Sequence, residues 1–231
     1  MKRHIPNIIT LINLFCGCLA IVFMFEGNYF AMLIAVIVAE IADLLDGSAA
    51  RALNSPSEIG GDLDSLADMV TFGVLPGIAM FQMLEMADVA RPFSYLGFVV
   101  TAFCCLRLAI YNNDTREGDN FYGLPVPSTA AFILGLILIV DTEVFGLQTF
   151  ILQPIFLFAV IALFSWLMLT NYAMFNLKFS SSSWKGNEIR YLFIIIGLVM
   201  IFVLKWAVFS FIIASYLLLS LIFFEPKKKK K

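Results

Sequence analysis

Charged residues are scarce in this sequence of 231 residues. Asp, Glu, Lys and Arg together account for 14% of the chain, while hydrophobic residues account for 61%. Soluble globular domains carry about 25% charged residues, whereas the mean hydropathy of this chain is +0.93. The composition therefore excludes a soluble globular protein and predicts a chain that lies in a lipid bilayer.

Cysteines at motif spacing are also missing. The four cysteines are Cys16, Cys18, Cys104 and Cys105, and all four lie in apolar stretches. Their spacing fits neither a zinc site nor a thioredoxin-like motif, so we interpret them as small packing residues. The sequence shows no soluble domain, internal repeat or long linker, and we treat residues 1–231 as a single membrane domain.

Apolar segments long enough to cross a membrane are abundant. A spanning helix needs roughly 20 apolar residues to cross about 30 Å of hydrocarbon. The segments predict an all-α, polytopic bundle of about eight transmembrane helices. Six or seven spans is the alternative, because two segments are short and the Lys205–Trp206 junction could be a kink. The predicted spans are residues 8–25, 29–47, 65–85, 93–112, 128–142, 151–173, 190–205 and 207–224.

The first apolar segment follows a basic N-terminus, as the core of a secretory signal peptide would. Asn7, Thr10 and Asn13 interrupt this segment, however, and no small-residue cleavage site follows it. Signal peptides end at such a site, so we expect a first span that is retained.

Basic residues fall mainly on one side of the predicted bundle. When the N-terminus is placed in the cytoplasm, Arg91 and Lys205 are the only two of the 15 Lys and Arg residues on the outer side. Cytoplasmic loops collect Lys and Arg, so we expect a multi-pass cell-membrane protein with both termini in the cytoplasm. We interpret the basic tail, residues 225–231, either as a contact with lipid headgroups or as a solvated anchor of the topology.

Seven of the 17 acidic residues are concentrated between Glu40 and Asp68. Asp43 and Asp46 stand three residues apart at the end of the second predicted span. Asp64 and Asp68 stand four residues apart at the start of the third. On helices, each spacing places both carboxylates on one face. The intervening segment is rich in Gly, Asn, Ser and Pro, so we expect a turn that brings the two pairs together at the cytoplasmic face.

Four clustered carboxylates in or near a membrane need compensation, because even one at the bilayer centre costs about 2.5–3.5 kcal/mol. Oxygen ligands suit hard divalent cations such as Mg²⁺ or Mn²⁺, and the lack of His or Cys ligands argues against zinc. The spacing alone leaves two other interpretations open. The acids could be solvated helix-end charges paired with Arg51 and other cations, or part of a pathway for protons or cations.

The same region resembles the signature of the CDP-alcohol phosphotransferase family. That signature reads D-x2-D-G-x2-A-R, followed after a spacer by G-x3-D-x3-D. The resemblance covers residues 6–128, which we take as the catalytic region, and leaves residues 129–224 as additional transmembrane helices. The signature is matched at every specified position by Asp43, Asp46, Gly47, Ala50, Arg51, Gly60, Asp64 and Asp68.

The resemblance implies an enzyme that transfers a substituted phosphate from a CDP-linked lipid to an alcohol and releases CMP. The four aspartates would hold two divalent cations, Mg²⁺ or Mn²⁺, and Asp68 would be the general base for the acceptor hydroxyl. Gly47 would leave room for the nucleotide, and the forked donors of Arg51 suit phosphate oxygens. The other implied contacts to the CDP-lipid are Asn7, Thr10, Asn13, Ala50, Ser57 and Gly60.

Two later segments bear on the alcohol that accepts the phosphate. Residues 107–112, RLAIYN, and residues 121–128, FYGLPVPS, resemble the R-L-A-R-[FY]-N and F-x-G-L-P-x-P stretches of the phosphatidylserine synthases of this family. Ile110 departs from the pattern, because relatives commonly have a second Arg there. The resemblance implies L-serine as the acceptor, and Arg107 can supply the cation that its carboxylate needs, unless Arg107 is only a positive-inside anchor. The candidates for its ammonium group are Asn112, Asp114, Glu117 and Asp119.

Two rival functions are weighed against this interpretation. The first is the same reaction with glycerol 3-phosphate or inositol phosphate, but such dianionic acceptors need several cations, and only Arg51, Arg107 and Arg116 are candidates. The second is a divalent-cation transporter, which would line a path through the bilayer with polar groups on several helices. The tails of the donor, diacyl or archaeal ether, are left open. Family analogy adds the expectation of a homodimer.

Overall fold

The computed structural model describes residues 4–53, 59–113, 123–170 and 208–223. Every regular element in these ranges is helical and none is a strand, which confirms the all-α prediction for the described residues. The α-helices are α1 (Ile5–Phe25), α2 (Tyr29–Ala52), α3 (Gly60–Asp68), α4 (Leu75–Met86), α5 (Arg91–Ser94), α6 (Val99–Asn112), α7 (Val126–Thr142), α8 (Gln148–Ile151), α9 (Pro154–Leu169) and α10 (Val208–Phe223).

Two pairs of these helices are joined without a break. A π-helical segment, Met69–Val74, connects α3 to α4, and a 3₁₀ turn, Tyr95–Phe98, connects α5 to α6. A π-helix is rare and widens one turn of the backbone, often at a functional site. Here the widened segment begins immediately after Asp68, so it sets the direction in which the end of α3 faces its neighbours.

Three continuous helices are long and apolar enough to cross a bilayer, namely Ile5–Phe25, Gly60–Met86 and Arg91–Asn112, and three shorter helices are also apolar. Large hydrophobic side chains such as Ile155 and Trp166 are exposed at 84% and 62%. A soluble protein rarely exposes so much apolar surface to water, whereas in a membrane lipid covers such surface. The chain is a helical membrane protein, and its span count and orientation stay predictions.

The predicted spans agree with the helices where both are described. Seven of the eight fall on described helices, while the remaining one, residues 190–205, lies outside the described residues. The second span was predicted to end at residue 47, but α2 continues to Ala52. The prediction followed apolar length, and a helix can continue beyond the hydrocarbon where its polar groups reach water.

The core is centred on α4 and α7, whose side chains Met80, Met83, Ile133 and Ile137 are fully buried. α7 packs against α2, α4 and α10, while α1 packs against α2, α3 and the π-helical segment. Glycines let some of these helices approach closely, as is common in membranes. A Cβ atom added at Gly17 would collide with the Thr71 hydroxyl.

A short turn makes α1 and α2 antiparallel neighbours. Gly27 adopts a positive φ of 69°, which glycine allows without strain, and Asn28 caps α2 by accepting a hydrogen bond from the Ala31 backbone N–H. The start of α1 consequently lies beside the end of α2. This arrangement places Thr10 opposite Asp46.

Candidate active site

Three of the four predicted carboxylates converge. Asp43 lies on α2, whereas Asp64 and Asp68 lie on α3, and each offers one oxygen within 4.8 Å of the oxygens of the other two. The two halves of the motif therefore come together, while residues 54–58 between them lie outside the described residues. We call these three residues the carboxylate cluster.

Asp46 belongs to the same region but makes a different contact. It is 7% exposed, and its Oδ2 accepts a hydrogen bond from the Thr10 hydroxyl at 2.5 Å. The same hydroxyl lies 3.1 Å from the backbone oxygen of Pro6. Thr10 was predicted to contact the CDP-lipid, and the structure places it against Asp46.

Asp68 is held by a chain of two hydrogen bonds. Asn13 donates through Nδ2 to Asp68 Oδ1 at 3.0 Å, and Asn13 Oδ1 accepts from the Thr71 hydroxyl at 2.8 Å. Asn13 and Thr71 are both fully buried. The sequence singled out Asn13 as a donor contact and missed Thr71, although a polar residue three positions after Asp68 in an apolar segment was a usable signal.

The carboxylate cluster has the composition of a cation site. Three carboxylates at this separation repel one another, and burial removes the water that would weaken the repulsion. Asp64 Oδ1 is buried and has no hydrogen-bond partner in the described part of the chain. An all-oxygen donor set of this kind fits a hard divalent cation. The cluster can therefore bind a metal ion.

The predicted nucleotide contacts lie around the end of α2. The Arg51 side chain is exposed, and its Nη2 lies 3.4 Å from the Ser48 hydroxyl. A Cβ atom added at Gly47 would meet only Arg51 Nη1, at the ordinary contact distance of 3.6 Å. Protein packing in the described residues thus does not require glycine at position 47. Ala50, Gly60 and Asn7 are partly buried, and Ser57 lies outside the described residues.

The two acceptor candidates lie on α6. Arg107 is 8% exposed, and its guanidinium carbon lies 5.4 Å from the centre of the Tyr111 ring. Asn112 donates through Nδ2 to the hydroxyl of Ser65 at 2.7 Å, which ties the end of α6 to the residue after Asp64. Ser65 was not predicted. Asp114, Glu117 and Asp119 are outside the described residues.

Ile110, where relatives commonly have Arg, is 49% exposed on α6. It is thus not enclosed as Arg107 is. The departure from the family pattern therefore lies at a more exposed position than Arg107.

The FYGLPVPS segment begins outside the described residues and then docks on α9. Gly123 has a φ of +77°, and a Cβ atom added there would lie 2.6 Å from the backbone oxygen of Met168. The backbone N–H of Leu124 donates to the backbone oxygen of Leu167 at 3.0 Å. Backbone packing accounts for glycine at position 123.

An apolar groove of about 330 Å³ runs between α2, α7 and α10. Leu33, Ile37 and Leu138 line it, and Glu40 contributes a carboxylate to the lining one turn before Asp43. Ile37 is also 41% exposed, so the groove is open on the apolar outer face of the helices. The groove thus connects the neighbourhood of the cluster with the lipid-facing surface.

The sequence of this chain is similar to known proteins of one family. A family model described as CDP-alcohol phosphatidyltransferase matches residues 3–224. The CDP-diacylglycerol–serine O-phosphatidyltransferase of Helicobacter pylori is 30% identical over 224 residues, which cover 94% of this chain and 89% of that protein. The protein of the same name from Bacillus subtilis is 35% identical over 127 residues, or 54% of this chain and 70% of that one.

An archaeal relative is similar over a shorter stretch. The archaetidylserine synthase of Methanothermobacter thermautotrophicus is 33% identical over 135 residues, which cover 56% of this chain and 55% of that protein. The family model, by contrast, also includes residues 129–224, where the sequence offered no motif. Because that match extends over nearly the whole length, the chain belongs to the CDP-alcohol phosphatidyltransferase family of enzymes.

Proposed function

We propose that the enzyme transfers the phosphatidyl or archaetidyl group of a CDP-activated lipid to the hydroxyl of L-serine and releases CMP. The observation that carries this proposal is the convergence of Asp43, Asp64 and Asp68 within 4.8 Å beside an apolar groove. Relatives named as serine O-phosphatidyltransferases and as an archaetidylserine synthase support serine as the acceptor.

Asp43, Asp64 and Asp68 would hold a divalent cation, and Asp46 would join them in binding a second one. Mg²⁺ and Mn²⁺ suit these oxygen donors. Such cations, when bound, neutralise the diphosphate and the charge that develops on the departing CMP. The Thr10 hydroxyl donates to Asp46 Oδ2 and would hold this carboxylate in place for the second cation.

Asp68 would act as the general base. Its carboxylate takes the proton of the serine hydroxyl while the serine oxygen forms a bond to the lipid-bearing phosphorus. The bond from that phosphorus to the bridging oxygen breaks, and CMP leaves with the bonding electron pair. Asn13 holds one oxygen of Asp68 at 3.0 Å, which limits rotation of the carboxylate during this transfer.

Gly47 and Arg51 would contact the nucleotide and its phosphates. The absence of packing around a Cβ atom at Gly47 leaves space there for a ligand, and the exposed guanidinium of Arg51 can reach phosphate oxygens. Thr10 and Asn13 would contribute by holding Asp46 and Asp68. The other donor contacts that we propose at this end of the bundle are Asn7, Ala50, Ser57 and Gly60.

The apolar groove would hold a tail of the CDP-lipid. Its lining is hydrocarbon apart from a few groups such as Glu40 and Ser128, and it passes within one helical turn of Asp43. A lipid tail lying there leaves its headgroup at the level of the carboxylate cluster. Ester-linked and ether-linked tails fit such a lining equally well.

Serine would be recognised by Arg107 and Asn112. Arg51, assigned to the donor, and Arg107 are the described cations at this end of the bundle, a number that fits a zwitterion better than a dianion. The link from Asn112 to Ser65 places the end of α6 next to the cluster. Carboxylate binding by Arg107 would orient the serine hydroxyl toward Asp68.

The test is an assay of the full-length protein in liposomes with CDP-diacylglycerol and Mg²⁺ or Mn²⁺. L-serine, glycerol 3-phosphate and inositol 1-phosphate are offered in separate reactions, and CMP and the lipid product are measured. Serine-dependent CMP release supports the proposal. CMP release with another alcohol supports the reaction class and rejects serine as the acceptor. If none of the three alcohols gives CMP release, the series is repeated with a donor that carries archaeal ether tails.

A further inference from the structure

We propose that Thr71 and Asn13 are positioning residues that fix the orientation of the Asp68 carboxylate, and that Gly17 makes their arrangement possible. The inference rests on the proposed role of Asp68 as the general base. Neither the family signature nor the groove involves Thr71. Within the described residues, the hydroxyl of Thr71 is connected to Asp68 through Asn13.

The direction of the two hydrogen bonds is determined by their far end. An ionised carboxylate only accepts hydrogen bonds, so the group facing Asp68 must be the amide Nδ2 of Asn13. The amide oxygen then faces Thr71 and requires a donor, which the threonine hydroxyl supplies at 2.8 Å. Without that hydroxyl, Asn13 Oδ1 would lose this buried side-chain partner, which costs about 1–3 kcal/mol.

The backbone around Thr71 brings its side chain against α1. Thr71 lies in the π-helical segment, three residues after Asp68, and the widened turn carries its side chain to α1. Gly17, one turn after Asn13 on α1, faces Thr71, and an added Cβ atom would lie 3.1 Å from Thr71 Cβ and 3.2 Å from its Cα. The glycine therefore lets α1 approach closely enough for the hydroxyl to reach Asn13.

The hydrogen bonds from Thr71 to Asn13 and from Asn13 to Asp68, which we call the relay, matter because an Asp side chain rotates easily about its last bond. Proton transfer and cation binding both depend on which way the oxygens face, and residues that orient such a carboxylate are worth about 10–100-fold in affinity or activity. Asn13 occupies Asp68 Oδ1, and Thr71 keeps Asn13 from turning. Loss of the relay should therefore change turnover and cation binding more than substrate binding.

The experiment compares Thr71→Val, which keeps the shape and removes the hydroxyl, with Thr71→Ser, which restores a hydroxyl. Thr101→Val is the matched control, because the Thr101 hydroxyl also donates to the π-helical segment, to the Gly73 backbone oxygen at 2.9 Å, but lies outside the relay. Asn13→Asp is a second variant that still accepts from Thr71 and cannot donate to Asp68 when ionised.

We expect Thr71→Val and Asn13→Asp to lower kcat and weaken Mn²⁺ binding, measured by electron paramagnetic resonance, by about 10-fold or more. KM for the CDP-lipid and for serine should stay within about twofold, Thr71→Ser should recover most of kcat, and Thr101→Val should resemble the wild type. The inference would be overturned if Thr71→Val and Thr101→Val had equal kcat and Mn²⁺ affinity, or if Thr71→Ser did not recover kcat. If Thr71→Val does not fold, Asn13→Asp decides.

Asp68→Asn, measured alongside, separates this inference from the proposed function. Turnover retained in Asp68→Asn rejects Asp68 as the base and removes the basis of the relay. An inactive Asp68→Asn together with fully active Thr71→Val and Asn13→Asp rejects the relay alone.

Discussion

Two aspartates on α3 differ in surroundings although they are two residues apart. Asp64 belongs to the carboxylate cluster and has a buried oxygen, whereas Asp62 is exposed and lies outside the cluster. We expect Asp64→Asn to lower CMP release at least about 100-fold, because the variant loses a charged ligand, and Asp62→Asn to change it less than about twofold. A titration of activity with Mn²⁺ distinguishes the two. Equal losses would show that the cluster is not the cation site.

Arg107 offers a second test at the residue scale. Hydrogen bonds between charged partners contribute about 1.5–3 kcal/mol, so Arg107→Ala should raise KM for serine by about 10- to 100-fold and leave KM for the CDP-lipid within about twofold. Arg91→Ala is the control, since the Arg91 side chain is 75% exposed and pairs with Glu85 away from the cluster. A similar rise in both KM values would remove Arg107 from the acceptor site.

The sequence predicted the convergent aspartates but not what supports them. The approach of Asp43, Asp64 and Asp68 could be predicted because helical spacing, together with an expected turn between the two spans, indicated it. The bonds among Asn13, Thr71 and Asp68 join residues up to 58 positions apart. Such bonds depend on how closely α1 packs against α3 and the π-helical segment, which a single sequence does not contain.

The presence of helices was easier to predict than the residues at which they end. Long apolar runs predicted the helices, but the polar stretch between the second and third predicted spans was ambiguous, because polar residues suit both a helix outside the bilayer and a loop. The helix α2 therefore runs past its predicted end at residue 47 to Ala52. The π-helical segment left no mark in the apolar pattern, since Met69 to Val74 look like any buried stretch.

Two glycines on either side of α7, Gly123 before it and Gly146 after it, give a prediction about stability. Gly123 and Gly146 both have positive φ, but only Gly123 lies against backbone atoms, and nothing lies within 4 Å of a Cβ added at Gly146. Gly146→Ala should cost about 1–2 kcal/mol for the strained backbone, and Gly123→Ala about 1–3 kcal/mol more for the clash. Thermal unfolding in detergent measures both, and equal losses would contradict the packing role of Gly123.

The length of the continuous helix Gly60–Met86 gives a prediction about the whole molecule. Its 27 residues extend for roughly 40 Å, more than the hydrocarbon of a bilayer, so we expect its two ends to emerge on opposite sides. With the cluster facing the cytoplasm, an impermeant maleimide added to intact cells should label Asp88→Cys and not Leu53→Cys in a background without the native cysteines. The reverse pattern would place the site outside.

Association between copies of the chain is a separate question. The homodimer expected from the family stays a prediction, and crosslinking in native membranes tests it directly. In the proposed mechanism both substrates would bind within one chain at the cluster, so that mechanism does not depend on the outcome.

If the apolar groove holds a donor tail as proposed, its open side lets the donor enter directly from the bilayer. With a donor tail in that groove, encounters occur in two dimensions, and the rate follows the mole fraction of donor among the lipids rather than its amount per litre. Adding inert lipid or detergent at constant total donor should therefore slow the reaction, whereas the water-borne acceptor obeys ordinary bulk concentration. The cell could then control this enzyme through the make-up of its membrane alone.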